Sequence, residues 1–307
     1  MEAGKEYKIE IRYAQLYNWQ AAIEFDFGNE VDVDYTDLIR KLKGIDLVVF
    51  VGGLSGKLEG EEMPVSYPGF KGGDRTDIEL PPVQRNCLKA MKEAGKKIVF
   101  VNCSGSAIAL TPETTSCEAI LQAWYGGESG GQAVADVLFG DYNPSGKLPV
   151  TFYRSSDQLR DFEDYSMEGR TYRYTTEHLF PFGFGLSYTD FEIGTATLSK
   201  TTIIASEDIR ITVPIKNTGE RNGTEIVQVY VHKVNDKDGP IKTLKGFQRV
   251  ELEAGELKNI TIDLPPSSFE FYNREELKMM IDKGEYEVFY GNSSDIKDLK
   301  MSKLTIQ

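Results

Sequence analysis

The spacing of hydrophobic positions changes twice along the 307 residues. Apolar and polar side chains alternate over residues 1–35, short apolar runs alternate with segments of helical period over 36–190, and alternation returns over 191–307. A period of two is typical of half-buried strands and a period of 3.6 is typical of helices. The pattern therefore predicts a short β segment, an α/β domain and an all-β domain, in that order.

The middle region, residues 36–190, predicts a mostly parallel sheet with flanking helices. Three apolar runs predict buried strands, the first of them buried on both faces, at 45–51, 98–101 and 119–124. Two amphipathic segments predict helices, one from Pro81 or Pro82 to Gly95 and one from about Gly131 to Phe139. Strands that alternate with helices in this way are typical of an α/β sheet.

The outer regions both have a period of two, but they differ in length. Residues 191–307 contain about seven short alternating segments, which predicts a β-sandwich of the immunoglobulin-like type; the clearest are 209–215, 225–232, 243–252, 257–264 and 284–290. Residues 1–35, with Tyr7, Ile9 and Ile11 in alternation, are too few to bury a sheet of their own. We therefore expect them to be the terminal strands of a larger, truncated β-structure.

Charge and composition limit the classes of partner that the protein is expected to bind. The chain has 48 Asp and Glu against 35 Lys and Arg, a net charge of −13, so we expect neither nucleic acid nor an anionic membrane surface as partner. No stretch approaches the ~18 apolar residues of a membrane span. Two histidines, and three cysteines without metal-binding spacing, predict no metal site, and the cysteines are expected to be buried free thiols. The net charge does not exclude neutral polar ligands such as sugars.

The connection between the first predicted strand and its helix is unusually long. It has about 28 residues where two to six are typical, and it follows the carboxyl end of a parallel strand, where open α/β sheets bind ligands. It contains five charged residues of interest, which are Glu59, Glu61, Glu62, Asp74 and Arg75.

Clustered carboxylates suit general acid catalysis. Their mutual repulsion favours the protonated form of one of them, and such an acid can protonate a leaving oxygen, as glycosidases require. The alternative is that these glutamates are solvated surface charges. A nucleotide site is disfavoured, because Gly52 and Gly56 are one residue too close for a phosphate loop and Leu58 stands where Ser or Thr would bind magnesium.

Four long motifs closely resemble glycoside hydrolase family 3, and the resemblance covers about residues 36–307. They are Ala-Trp-Tyr-Gly-Gly-Glu-Ser-Gly-Gly at 123–131, the segment 133–152 with Gly-Asp-Tyr-Asn-Pro-Ser-Gly-Lys-Leu-Pro, Gly-Arg-Thr-Tyr-Arg-Tyr at 169–174, and Pro-Phe-Gly-Phe-Gly-Leu-Ser-Tyr at 181–188. The family has an N-terminal TIM-like barrel, then an α/β sandwich domain and often a fibronectin type III-like domain. The resemblance implies that residues 36–190 and 191–307 are the last two domains, and that residues 1–35 end a protective-antigen-type insert.

The resemblance also implies an activity. The family hydrolyses β-linked oligosaccharides and glycosides with retention, as exo-acting β-glucosidases and β-xylosidases, without a cofactor. Its nucleophile is an aspartate of the barrel, and no residue here matches that motif, so we expect this chain alone to be inactive without the N-terminal barrel of the same polypeptide. The family resemblance leads us to expect a periplasmic or extracellular location for the full-length protein. The alternative function is a non-catalytic carbohydrate-binding or scaffolding module.

The family's acid/base motif can be placed on this sequence residue by residue. Glu59-Gly60-Glu61-Glu62-Met63 matches it, which makes Glu61 the expected general acid/base and Glu59 the second candidate. Met63 stands where the family has an aromatic residue, and additional residues precede the family's Asp-Arg pair, here Asp74-Arg75.

The sequence leaves two alternative roles for Arg75 and two for Asp74. Arg75 is expected to orient the loop or a carboxylate, or else to contact the start of the helix at Pro81, and Asp74 to cap that helix or to anchor the loop. Trp124 and Tyr125 end a predicted strand, where core packing is favoured over stacking on a sugar.

Overall fold

The computed structural model describes residues 4–14, 31–59 and 63–307. The α/β part contains α1 (Thr36–Lys41), β1 (Leu47–Gly53), β2 (Ser66–Tyr67), β3 (Phe70–Lys71), β4 (Asp74–Arg75), α2 (Pro82–Glu93), β5 (Lys97–Cys103), α3 (Glu113–Ser116), β6 (Ala119–Gln122), α4 (Gly130–Phe139) and α5 (Thr171–Tyr174). The all-β part contains β7 (Phe191–Ile193), β8 (Thr197–Leu198), β9 (Thr202–Ile203), β10 (Ile209–Asn217), β11 (Gly223–Lys233), β12 (Thr243–Leu252), β13 (Leu257–Leu264), β14 (Phe271–Asn273), β15 (Lys278–Met280), β16 (Gly284–Gly291) and β17 (Leu299–Ile306).

The α/β part is built on a parallel sheet with strand order β1-β5-β6. Helix α2 begins after Pro81 and is followed by Gly95 at a φ of 76°, as its proline and glycine signals predict. Its apolar face buries Leu88 and Met91 in the core that Ile98 and Phe100 of β5 share. The predicted α/β architecture is confirmed.

Strand β1 is covered on one face only, so the prediction of burial on both faces is wrong. Val48 and Phe50 join the core beneath α1 and α2, but Leu47, Val49 and Val51 are 51%, 49% and 65% exposed. Parallel sheets normally carry helices on both faces. In the part of the chain that the structure describes, α1 and α2 lie on the same side, so this apolar face of β1 stays exposed.

Two other predictions about local structure also differ. Strand β6 ends at Gln122 rather than Trp124, because Trp124 adopts a φ of 54°, which is incompatible with an extended ladder. Residues 5–14 belong to none of the sheets among the described residues, although they alternate; alternation alone does not make a strand, which needs a ladder to a neighbour. The alternating residues 22–27 lie outside the described residues.

The cysteines are free thiols, as predicted, but they are partly rather than fully buried. Cys87 and Cys117 pack against the edge of the main core, and Cys103 is the last residue of β5. Burial raises the pKa of the Cys87 and Cys117 thiols.

The all-β part is a sandwich of two antiparallel-rich sheets. One sheet has the order β13-β10-β7 with β8 also paired to β10, and the other has the order β12-β11-β16-β17-β9. Alternate residues of the facing strands form the core, for example Ile211 and Val213 of β10 against Val229 of β11 and Val288 of β16. The five clearest alternating segments are strands β10, β11, β12, β13 and β16, which confirms the predicted sandwich.

The two parts share a buried contact. The ring of Tyr172 stacks on Phe182 at 4.4 Å between centroids, packs edge-on against Tyr230, and its hydroxyl accepts the backbone N–H of Leu244. Beside it, Lys147 Nζ lies 2.7 Å from Glu225 Oε1, with side chains only 10% and 5% exposed. This ion pair ties the α/β part to strand β11.

We predict that Lys147→Met lowers the free energy of unfolding by roughly 3–5 kcal/mol, because it leaves the Glu225 carboxylate buried without its cation. The double variant Lys147→Met/Glu225→Leu should recover most of that loss, since it removes both charges. Urea unfolding followed by circular dichroism measures both effects. A loss below about 0.5 kcal/mol in the single variant would show that the pair contributes little.

We also predict that the uncovered face of β1 binds a hydrophobic dye. The double variant Val49→Thr/Val51→Thr keeps the β-branched shape while it removes apolar surface, so it should lower the fluorescence of bound anilinonaphthalene sulfonate. Leu257→Thr, at a position 61% exposed on the sandwich, is the control and should change it little. Equal decreases in the two variants would argue against a distinct apolar face on β1.

Candidate functional site

Three segments meet at the carboxyl edge of the parallel sheet. Glu59 follows β1, Ser106 follows β5 and Tyr125 follows β6, and parallel strands end at a common edge. Tyr125 Oη donates a hydrogen bond of 2.7 Å to Glu59 Oε2, and Ser106 Oγ donates one of 3.4 Å to Glu59 Oε1. The two hydroxyls therefore hold opposite oxygens of one carboxylate.

The long loop leaves β1 at a fixed point. Gly53 has a φ of 121°, and a Cβ there would lie 2.0 Å from the carbonyl oxygen of Cys103, so only glycine fits. The side-chain amide of Gln84 on α2 bonds both the N–H and the carbonyl of Gly53, each at 2.7 Å. Leu54 N–H then donates to Cys103 O at 2.8 Å. The start of the loop is thus fastened to both β5 and α2.

The loop contains a small antiparallel sheet, β2-β3-β4, which its glycine-rich composition did not predict. Gly72 and Gly73, with φ values of 63° and 88°, form the turn between β3 and β4. Phe70 of β3 is 5% exposed and joins the main core. The small sheet is therefore packed on the domain, and its last strand carries Arg75 back to the sheet edge.

Arg75 has most of its hydrogen bonds at this edge. Its Nε donates to Asp77 O at 3.1 Å, and its Nη1 donates to Ser106 Oγ at 2.8 Å and to Ala107 O at 3.3 Å. Its Nη2 is buried and has no hydrogen-bond partner among the described residues. Burial lowers the pKa of Arg75, and the nearby charge of Glu59 opposes that shift.

For both Asp74 and Arg75, the structure excludes the expected contact with the start of helix α2. Helix α2 is preceded by Pro81 and no side chain caps it, so the interpretation of Asp74 as its cap is wrong. Arg75 bonds the segments after β4 and β5 rather than the start of α2, so the helix-start interpretation is wrong too. Asp74 itself is exposed on β4.

Glu61 and Glu62 lie outside the described residues, as does Gly60 between Glu59 and Glu61. The structure therefore places one of the two acid/base candidates, Glu59, at the sheet edge with Arg75. The role of Glu61 stays a prediction from the sequence.

Tyr125 is the residue that sequence reasoning missed. The prediction of core packing holds for its neighbour Trp124, whose ring lies edge-on against Phe152. Tyr125 instead is 52% exposed, and its hydroxyl donates a hydrogen bond to Glu59. Partial burial of the phenol and the Glu59 carboxylate both raise the pKa of Tyr125, so it stays a protonated donor at neutral pH. Its position directly after β6, at the same edge as the loop, was the available signal.

The described residues offer little for other kinds of site. In those ranges no three His, Cys, Asp or Glu side chains come together as metal ligands. None of the helices seen there is both long and apolar enough to cross a bilayer. The chemistry at the sheet edge is that of a carboxylate, an arginine and two hydroxyls.

Comparison with known proteins agrees with this architecture. The profile of the glycosyl hydrolase family 3 C-terminal domain matches residues 7–188, and that of the fibronectin type III-like domain matches residues 225–294. Among curated proteins, the chain is 54% identical to a xylan 1,4-beta-xylosidase of Xylanibacter ruminicola over 99% of its own length and 35% of that protein's. It is 36% identical to a periplasmic beta-glucosidase of Salmonella typhimurium over 84% of its own length and 34% of that protein's.

Solved structures of beta-glucosidases also match most of this chain. A beta-glucosidase from Listeria innocua in complex with glucose matches with a TM-score of 0.75 and 29% identity, over 88% of this chain and 38% of that one. A beta-glucosidase from Kluyveromyces marxianus in complex with glucose matches with a TM-score of 0.74 and 34% identity, over 90% of this chain and 34% of that one. The chain thus spans about a third of the length of its curated relatives. It belongs to glycoside hydrolase family 3, of which it carries the C-terminal α/β domain and the fibronectin type III-like domain.

Proposed function

We propose that this chain is the C-terminal part of a retaining, exo-acting β-glycosidase and supplies its general acid/base from the loop after β1. The observation that carries the proposal is the attachment of that loop, through Glu59, to the carboxyl edge of the sheet where α/β proteins bind ligands. The names of its relatives, β-xylosidase and β-glucosidase, support the reaction class.

Within the loop, Glu61 is the general acid/base and Glu59 is an anchor. Both carboxylate oxygens of Glu59 already accept hydrogen bonds from the hydroxyls of Tyr125 and Ser106. A general acid needs a carboxyl oxygen within hydrogen-bond reach of the leaving oxygen. Glu61, two residues farther along the sequence, is the glutamate that the family motif favours for this role.

The reaction then needs a second carboxylate from outside this chain. An aspartate of the N-terminal barrel attacks the anomeric carbon while Glu61 gives its proton to the glycosidic oxygen, so the C–O bond breaks and a glycosyl-enzyme ester forms. Glu61, now ionised, takes a proton from water, and the water oxygen displaces the aspartate. Retention requires the two carboxyl groups to lie about 5–5.5 Å apart.

The substrate is a β-linked oligosaccharide or glycoside. β-Xylosides are the first to test, because the relative with 54% identity is named a xylan 1,4-beta-xylosidase, and β-glucosides are the second. A location outside the cytoplasm is proposed from the family and from the relative named periplasmic.

In the longer polypeptide, we predict that Glu61→Ala lowers kcat/KM by about 10²–10⁴-fold on glycosides with poor leaving groups, which need the proton. The same variant should lose far less on nitrophenyl glycosides, and azide should restore part of its turnover. Glu59→Ala is the matched comparison and should not be rescued by azide. The reverse pattern, with azide rescue at Glu59 only, would make Glu59 the acid/base.

We predict no turnover by the present chain alone. Without the barrel aspartate there is no nucleophile to form the glycosyl-enzyme, so nitrophenyl β-xyloside and β-glucoside should remain intact at high concentrations of the purified chain. The longer polypeptide, assayed in parallel, is the positive control. Hydrolysis by the chain alone would contradict this division of the two carboxylates, whereas sugar binding without turnover by both proteins would favour a non-catalytic module.

A further inference from the structure

We propose that Tyr125 is a positioning residue for the acid/base segment: its phenol holds Glu59, two positions before Glu61 in the sequence, and thereby acts on Glu61. This inference rests on the function proposed above, since it assigns a role to a residue that acts through that loop. Its basis is a set of contacts among described residues on three different segments.

The phenol contacts the loop at two points. Tyr125 Oη lies 2.7 Å from Glu59 Oε2 and 3.2 Å from the backbone carbonyl oxygen of Leu54. Leu54 is the first residue after β1, whereas Glu59 precedes Glu61 by two positions, with Gly60 between them. A phenol has a single proton, so the shorter contact marks the carboxylate as its acceptor. The hydroxyl therefore bonds Glu59, and its oxygen lies beside the first residue of the loop.

Tyr125 is itself held in place. Trp124, at a φ of 54°, turns the chain out of β6 and packs its ring against Phe152, which is 1% exposed. Gly105 provides the space for the tyrosine ring, because a Cβ there would lie 2.8 Å from Tyr125 Cε2. The phenol is thus attached to a buried anchor and not to a freely moving surface segment.

A second hydroxyl holds the carboxylate from the other side. Arg75 Nη1 donates to Ser106 Oγ at 2.8 Å, and Ser106 Oγ donates in turn to Glu59 Oε1 at 3.4 Å. The longer distance makes this the weaker of the two bonds to Glu59. Tyr125 is therefore the main fastening, and the Arg75–Ser106 pair supports it.

Holding Glu59 in place should affect proton transfer by Glu61. A residue two positions from Glu59 lies at most about 7 Å from it, Cα to Cα, so fixing Glu59 limits the space open to Glu61. Loss of the phenol hydroxyl should therefore misplace the acid, while the barrel that binds the sugar and carries the nucleophile is unaffected. Hydrogen bonds to charged groups are among the stronger ones, and displacement of a catalytic group by about 1 Å costs up to about 100-fold.

The experiment compares Tyr125→Phe with Tyr272→Phe in the longer polypeptide. Tyr272 is 54% exposed on β14, far along the chain in the sandwich, and serves as the matched control. We expect Tyr125→Phe to lower kcat/KM about 10- to 100-fold on an alkyl β-xyloside, to change it less than about threefold on a dinitrophenyl β-xyloside, and to shift the basic limb of the pH profile. Ser106→Ala should show the same pattern with a smaller loss.

Three outcomes would overturn the role of Tyr125. The first is equal loss on both substrates, which indicates a general structural role, and the second is a Tyr125→Phe variant that behaves like Tyr272→Phe. The third comes from the double variant Tyr125→Phe/Glu59→Ala: if Tyr125 acts through Glu59, the double variant loses no more than the larger single loss, whereas additive losses would show an independent effect.

The proposed function is tested separately by Glu61→Ala. If Glu61→Ala shows the leaving-group dependence and azide rescue but Tyr125→Phe does not, the positioning role alone is overturned. If Glu59→Ala shows the azide rescue in place of Glu61→Ala, both the assignment of the acid and the fastening role of Glu59 are overturned.

Discussion

The interaction on which the site depends is the hydrogen bonding of the Glu59 carboxylate at the carboxyl edge of the parallel sheet. Tyr125 and Ser106 belong to the ends of two different strands, and Glu59 belongs to the loop after a third. Arg75, which is half-buried, brings a positive charge beside them, and the nearby Glu59 charge opposes the lowering of its pKa by burial. The loop after β1 is thereby attached at Glu59 to the carboxyl edge of the parallel sheet.

The sandwich contributes through stability and not through contact with this cluster. Among the described residues, the partners of Glu59 all come from the α/β part. The sandwich instead meets that part through Tyr172 and through the buried pair of Lys147 and Glu225. A buried ion pair is costly to break but gives modest net stability when intact, so this pair links β11 to the α/β part at a small net gain.

Much of the fold could be predicted from the sequence because it depends on local pattern. Five alternating segments became strands β10, β11, β12, β13 and β16, and the proline and glycine that flank α2 fixed its ends. The exposed side of β1 could not be predicted, because Val49 and Val51 have the same hydrophobicity whether or not a helix lies over them. Coverage of a face is a tertiary property that a single strand's sequence does not encode.

The residues of the site could be predicted only in part, because their contacts are tertiary. The resemblance singled out Glu59 and Arg75, and the structure brings both to the carboxyl edge of the sheet, where the rule for parallel strands placed their loop. The small sheet β2-β3-β4 depends on positive φ values at Gly72 and Gly73, which composition suggests but does not locate. Core packing was favoured for Tyr125 because an aromatic residue after a strand is more often core, whereas its exposure and its hydroxyl bond to Glu59 show otherwise.

The most direct measurement is a crystal structure of the longer polypeptide with an unhydrolysed β-glycoside analogue in its active site. The proposed assignment predicts a carboxyl oxygen of Glu61 within about 2.6–3.2 Å of the glycosidic oxygen, with Glu59 still bonded to the Tyr125 hydroxyl. A structure with the Glu59 carboxylate at the glycosidic oxygen, and the Tyr125 hydroxyl released from it, would contradict the assignment.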